Sequence, residues 1–226
     1  MNTRPGNDWH EARVKALGRA YAEAVLAGDE VAAEVVVREA MEANLSTAEI
    51  DHEIIAPALW LAGELWQRGE ITVADEHIAT EISIRVLALQ REAQRLARAR
   101  GRHRAMLATP SGELHVVALR MIDDLHRDAG YDVMMLGPDV PPRELAAAAS
   151  RYQPAVICLS ATMPGGGDRL LVAIHEAQEA FPASRFVVGG RGLTSRVRSR
   201  PGVEVCRRIT EAVDAADALI QRADQN

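Results

Sequence analysis

The sequence predicts an N-terminal four-helix bundle followed by a doubly wound α/β domain with a parallel five-stranded sheet. Three observations carry that expectation. Residues 1–100 place apolar side chains at helical spacing, with no strand-like run among them. At Arg98–Arg104 the composition breaks, with Arg98, Arg100, Arg102, His103 and Arg104 crowded together. From Ala105 onward short apolar runs alternate with helical patterns, the rhythm of a parallel sheet covered on both faces. The expected domains are 1–100 and 101–226.

In the first domain, Trp9–Leu26 reads as a helix that stops near Gly28-Asp29, and Glu30–Ala43 as a second. Ser46-Thr47-Ala48-Glu49 has a hydroxyl at the N-cap and a carboxylate three residues on, the capping-box arrangement. The helix it opens either reaches Leu65 or breaks near Pro57. A fourth begins at Thr72 or Asp75 and runs to Ala99. The basic stretch at 98–104 reads as a solvated linker, because no aromatic side chain interleaves it.

In the second domain the expected strands are Ala105–Ala108, Tyr131–Leu136, Ala155–Leu159, Arg185–Val188 and Val203–Cys206. The expected helices are Leu114–Ala129, Arg143–Tyr152, Asp168–Phe181 and Ile209–Ala223. Right-handed crossovers between such strands give a flavodoxin-like fold, in which ligands bind at the carboxyl ends of the strands.

Composition narrows the function classes. The chain has 226 residues, 48% of them hydrophobic and 4% aromatic, with a net charge of -6. That balance argues against broad nucleic-acid binding. Lys15 is the sole lysine, and a GC-rich genome accounts for the arginine bias. Cys158 and Cys206 lie far apart in apolar runs and read as buried thiols in a reducing compartment. No run approaches the ~20 apolar residues of a membrane span, and Met1–Pro5 opens no signal peptide. The expected location is the cytoplasm.

Three strand-end loops fall on one edge of such a sheet: Thr109–His115, Ser160–Gly167 and Gly189–Gly192. Glu113 stands two residues before His115, and a carboxylate there can fix the imidazole tautomer and raise its basicity, as a metal ligand needs. Taken alone, His115 also fits a surface histidine at a helix start. Ser160 can bond a ligand or cap the backbone. Gly189-Gly190 admits a flat ligand or a tight turn. Gly165-Gly166-Gly167 lacks the lysine and spacing of a P-loop.

Together these loops resemble the cobalamin-binding domain shared by methionine synthase, the mutases and the corrinoid carriers. That family carries Asp-x-His-x-x-Gly, Ser-x-Leu and Gly-Gly. The residues here that match are Glu113, His115, Ser160, Gly189 and Gly190. The resemblance covers about residues 104 to 222 and implies that His115 ligates cobalt from below. It also implies that the displaced nucleotide tail runs between the Ser160 and Gly189-Gly190 loops. Glu113 replaces the usual Asp, Ala118 the usual Gly, and Thr162 the Leu of the second motif.

The bundle adds a second resemblance. Trp66, nine intervening residues and then Glu76-His77 resemble the light-sensing cobalamin domain of the CarH and LitR type of repressor. In that family the Trp packs over the upper face against the adenosyl group and the Glu bonds its ribose. The bundle is then a cap over the cofactor. Gln67 stands where the best-known members have a His that binds cobalt after illumination. With the bundle beginning near Trp9, no helix-turn-helix reader is expected.

The resemblance therefore implies a light sensor that uses adenosylcobalamin, with no direct nucleic-acid or membrane contact and output through a homo-oligomer (a dimer) or a separate signalling partner. The free-standing photocobilins bring biliverdin as a second chromophore into the same reading. A corrinoid carrier for a methyltransferase system, or a cobalamin store, is the alternative. An enzyme acting alone is not expected, since no substrate barrel accompanies the domain.

Overall fold

A computed structural model describes residues 5–94, 103–198 and 200–225. The chain divides at Leu96/Ala97 into two compact units.

The helical unit contains α1 (Pro5–Leu26), α2 (Glu30–Glu42), α3 (Thr47–Glu49), a π-helical segment (Ile50–Ile55), α4 (Ala56–Gln67) and α5 (Val73–Gln94). The stretch from α3 through α4 is unbroken, so the unit is a four-helix bundle in which α1 packs on α2, α4 and α5. Its core holds Tyr21, Val25, Ile50, Ile54, Val86 and Leu87. The expected fourth helix is seen to Gln94; its end at Ala99 and most of the basic linker lie outside the described residues.

Local chemistry sets the helix ends. Gly28 takes φ +69° after α1, and the Asp29 carboxylate accepts the Ala32 amide at 2.9 Å to start α2. The Ser46 box forms: the Glu49 amide donates to Ser46 Oγ at 3.3 Å and the Ser46 amide to Glu49 Oε2 at 2.8 Å.

Pro57 does not break its helix. Proline has no N–H to bond the carbonyl four residues back, and a π turn ahead of it, with the Ala56 amide donating to Asp51 O, accommodates the loss. Gly18 of α1 seats against the Glu53 carbonyl left over, where a Cβ would come within 3.2 Å of the oxygen. Neither the π turn nor this contact was expected from sequence, since both depend on tertiary packing.

The α/β unit contains β1 (Arg104–Pro110), α6 (Val117–Asp128), β2 (Asp132–Val140), α7 (Pro142–Tyr152), β3 (Val156–Ser160), α8 (Gly166–Ala180), β4 (Phe186–Gly189), α9 (Ser195–Arg198), β5 (Val203–Val205), a 3-10 turn (Ile209–Glu211) and α10 (Ala212–Asp224). The five strands are parallel in the order β2-β1-β3-β4-β5, the flavodoxin-like order.

Strand alternation makes the two faces unlike. Met106, Ile157, Leu159, Phe186 and Val188 join Leu145 of α7 and Leu170 and Ile174 of α8 in one apolar core. The alternate residues, including Cys158, Ser160 and Gly189, face the α6 and α10 side. There His126 Nε2 of α6 lies 3.6 Å from Cys158 Sγ. That face is small and polar toward the carboxyl ends of its central strands.

Several boundaries differ from expectation. α6 starts at Val117 rather than Leu114, because Gly112 (φ +75°) and a Glu113 amide bond to Pro110 O at 3.0 Å turn the chain first. His115 therefore sits in the loop ahead of the helix. β2 continues to Val140 through Gly137 (φ +93°) and Asp139 (φ +55°), and α9 was not foreseen. Cys158 is buried, but Cys206 is only half-buried; burial still pushes its thiol up to about 11. Among the described residues no helix is long and apolar enough to cross a membrane.

Candidate functional site

The loop after β1 is built around Glu113, whose side chain is fully buried. Its Oε1 accepts His115 Nδ1 at 2.6 Å and the His115 amide at 3.1 Å. Its Oε2 accepts the Thr162 and Met163 amides at 2.7 and 3.0 Å. One carboxylate thus ties the β1 loop to the β3 loop and orients the imidazole. Burial alone would raise the Glu113 carboxyl, but the Met163 amide, the His115 ring and amide and the Thr162 amide outweigh it and hold the group below its ordinary value.

With Nδ1 donating to Glu113, the other ring nitrogen, Nε2, is the bare acceptor, on a side chain 51% exposed. The loop beneath is itself fixed. The Gly112 amide donates to Asp139 Oδ1 at 2.7 Å, the Asp139 amide to Thr109 Oγ1 at 3.1 Å, and Thr109 Oγ1 to Glu113 O at 2.5 Å.

Ser160 ends β3, is nearly buried and stands beside Gly189 in the sheet register. The β3 and β4 loops are laced together by Ala161 N to Gly189 O at 3.0 Å and Gly192 N to Ala161 O at 2.9 Å. The two adjacent glycines do different work. Gly190 has φ +110°, and a Cβ there would lie 2.1 Å from Ala161 O, so it is required by the protein's own packing. Gly189 has ordinary space, its nearest atom being Cys206 O at 3.6 Å, so its bareness is available to a ligand on the face it shares with Ser160. Thr162 contributes its backbone amide rather than an apolar side chain.

In the helical unit, Trp66 lies in the last turn of α4, Glu76 in the first turn of α5 and His77 directly after it. A Schellman turn joins them, with Gly69 N to Trp66 O at 2.9 Å and Glu70 N to Leu65 O at 2.9 Å. Thr72 then caps α5. These residues therefore share one end of the bundle. Trp66 is 42% exposed, unlike a core tryptophan. The Glu76 carboxylate holds His77 Nδ1 at 2.6 Å and Thr80 Oγ1 at 3.1 Å.

The roles of Asp139, Thr109, Gly112 and the Met163 amide carry no sequence motif, because each is joined through a side-chain-to-backbone bond, most of them between residues far apart in the chain.

Among the described residues no three His, Cys, Asp or Glu side chains converge on a metal position. Cobalt in a corrin ring asks the protein for one basic imidazole, and a carboxylate on the far ring nitrogen is the support such a ligand needs. The small, polar sheet face beneath Ser160 and Gly189 suits a ligand's polar tail. The tethered imidazole and the side-chain-free Gly189 beside Ser160 thus fit a corrinoid.

Fold and site define a class: a flavodoxin-like module with one carboxylate-tethered imidazole at its strand ends. The chain belongs to the B12 binding domain family, matched over residues 103–220, and residues 17–89 match a second B12 binding domain family. It is 29% identical over 160 residues to the HTH-type transcriptional repressor CarH of Myxococcus xanthus, covering 70% of this chain and 50% of that one. It is 25% identical over 188 residues to the trimethylamine corrinoid protein of Methanosarcina barkeri, covering 81% and 86%. The chain spans about half the length of the curated repressors it matches. In fold it matches the Methanosarcina barkeri monomethylamine corrinoid protein with a TM-score of 0.72 over 89% of this chain and 96% of that one, at 16% identity.

Proposed function

We propose that this chain is a cobalamin-dependent light-responsive regulatory module that holds adenosylcobalamin base-off, with His115 on the cobalt. The observation that carries the light reading is Trp66, half exposed at the end of the bundle that also carries Glu76 and His77. When bound, adenosylcobalamin supplies a cobalt–carbon bond that light breaks.

The chain's own residues do the rest. Glu113 keeps the proton of His115 on Nδ1 and leaves Nε2 for the metal. Ser160 and Gly189 line the slot for the nucleotide tail. The Trp66 indole would shield a cobalt–carbon bond from water, and Glu76 would accept ribose hydroxyls. Gln67 offers only an amide, a poor cobalt ligand beside an imidazole, so the illuminated state differs from that of repressors with a histidine there. The module works in the cytoplasm, and its output passes through its own assembly, a dimer, or through a separate partner. Biliverdin as a second chromophore is an extension of this reading whose mark is a far-red band.

A second reading, a corrinoid carrier for a methyltransferase, is favoured by the alignment that spans 86% of a trimethylamine corrinoid protein. The deciding experiment is an absorption spectrum with adenosylcobalamin in the dark and after green light, with gel filtration of both samples. Irreversible conversion with a change of size supports the sensor. Binding without a change of size assigns the chain to the carriers or stores.

A further inference from the structure

One side of α8 carries Leu171, His175 and Gln178, spaced so that they share a helix face. The chain returning toward β5 brings Arg196, Arg200 and Pro201 against that face. Between them lies an open groove of about 520 Å³, lined by Leu171, Gln178, Arg196, Arg200 and Pro201. Pro201 precedes Gly202, whose carbonyl accepts the Phe186 amide at 2.8 Å. This end of the groove therefore stands at the amino ends of β4 and β5, across the sheet from the loops that carry His115 and Ser160.

Arg200 is held in place. Its Nε donates to Gln178 Oε1 at 3.2 Å, Gln178 Nε2 donates to Pro201 O at 3.4 Å, and its Nη2 stands 3.5 Å from His175 Nδ1. None of these partners is a carboxylate. Arg196 is exposed, and among the described residues neither guanidinium has an ion pair. Arg68, Arg85, Arg104, Arg208 and Arg222 each pair with a Glu or Asp, as expected in a chain of net charge -6.

Two uncompensated cations on one wall match a dianion better than a single carboxylate. A guanidinium whose Nε is already occupied presents its remaining N–H groups to oxyanions. Leu171 and Pro201 add apolar surface beside them, and the groove falls within the ~300–1,000 Å³ of small-ligand sites. We propose that this groove binds a phosphate monoester with an apolar body, by class a nucleoside monophosphate. Arg196 and Arg200 take the phosphoryl oxygens, Gln178 positions Arg200, and the nucleoside rests on Leu171 and Pro201. The site uses none of the residues assigned to cobalamin and does not rest on that reading.

The test is isothermal titration calorimetry of the full chain, without cobalamin and at fixed ionic strength, with inorganic phosphate, adenosine monophosphate and adenosine. The wild-type protein binds adenosine monophosphate saturably, about tenfold or more tightly than phosphate, and adenosine more weakly than its monophosphate. Arg196→Gln and Arg200→Gln each lower the affinity for the monophosphate about tenfold. Leu171→Ser lowers it for the monophosphate and leaves phosphate binding unchanged. Arg196→Gln, at an exposed position, keeps the test open if Arg200→Gln fails to fold. The absence of saturable monophosphate binding overturns the site, as does wild-type affinity in both arginine variants. A monophosphate bound no more tightly than phosphate overturns the nucleoside contact.

Discussion

Glu113 grips His115 twice with one oxygen, Oε1 accepting the ring Nδ1 at 2.6 Å and the backbone amide of the same residue at 3.1 Å. Its other oxygen is filled by the Thr162 and Met163 amides. The side chain that orients the proposed cobalt ligand is therefore also the clamp between two loops.

Glu113→Gln breaks this arrangement, because an amide has one acceptor oxygen where the carboxylate has two. Either the imidazole or the β3-loop amides then face an N–H₂ group. We expect cobalamin affinity to fall by about 10- to 100-fold, read by absorbance titration, with a lower melting temperature of the apo-protein.

The same carboxylate sets an acid limit. Its folded-state pKa lies below the ordinary 4.5, so its contribution is fully present above that value and is lost as pH falls from 4.5 through the folded-state pKa. Thermal melts against pH should show the wild-type advantage over Glu113→Gln shrinking in that window. A constant gap contradicts the assignment.

His126 works in a higher window. Burial on the sheet face lowers its folded-state pKa below the ordinary 6.5, although the Ile122 carbonyl, Asp123 and Asp217 pull the other way. The unfolded chain then takes up a proton first as pH drops below 6.5, and stability falls until the folded-state pKa is passed. His126→Gln should flatten the melting curve against pH in that range while leaving the region above 6.5 level.

The adjacent glycines separate packing from binding. Gly190→Ala places a Cβ 2.1 Å from Ala161 O at φ +110° and should cost more than about 2 kcal/mol in chemical denaturation. Gly189→Ala meets only an ordinary contact at 3.6 Å. It should unfold like wild type while weakening cobalamin binding, since its methyl enters the slot beside Ser160.

Much of this was legible because it is local or periodic. Strand–helix alternation gives the sheet, and Glu113 two residues before His115 marks the proposed ligand. The adjacent pair Gly189-Gly190 was visible, but their division of labour was not, because it turns on the Ala161 carbonyl in the loop after β3. The clamp from Glu113 to Thr162 and Met163 spans about fifty positions and ends on backbone amides, which carry no residue identity. The π turn at Ile50–Ile55 was hidden for a similar reason: Pro57 signals a break, and only packing on Gly18 shows how the helix survives it.

The central claim is that His115 is the axial nitrogen donor to cobalt. Electron paramagnetic resonance of bound cob(II)alamin tests it directly, using protein grown with histidine labelled in heavy nitrogen. The account predicts that the three-line nitrogen splitting of the unlabelled sample becomes two-line on labelling and disappears in His115→Ala. A three-line pattern that survives both changes means that the cofactor's own base still holds the metal, and it would contradict the account.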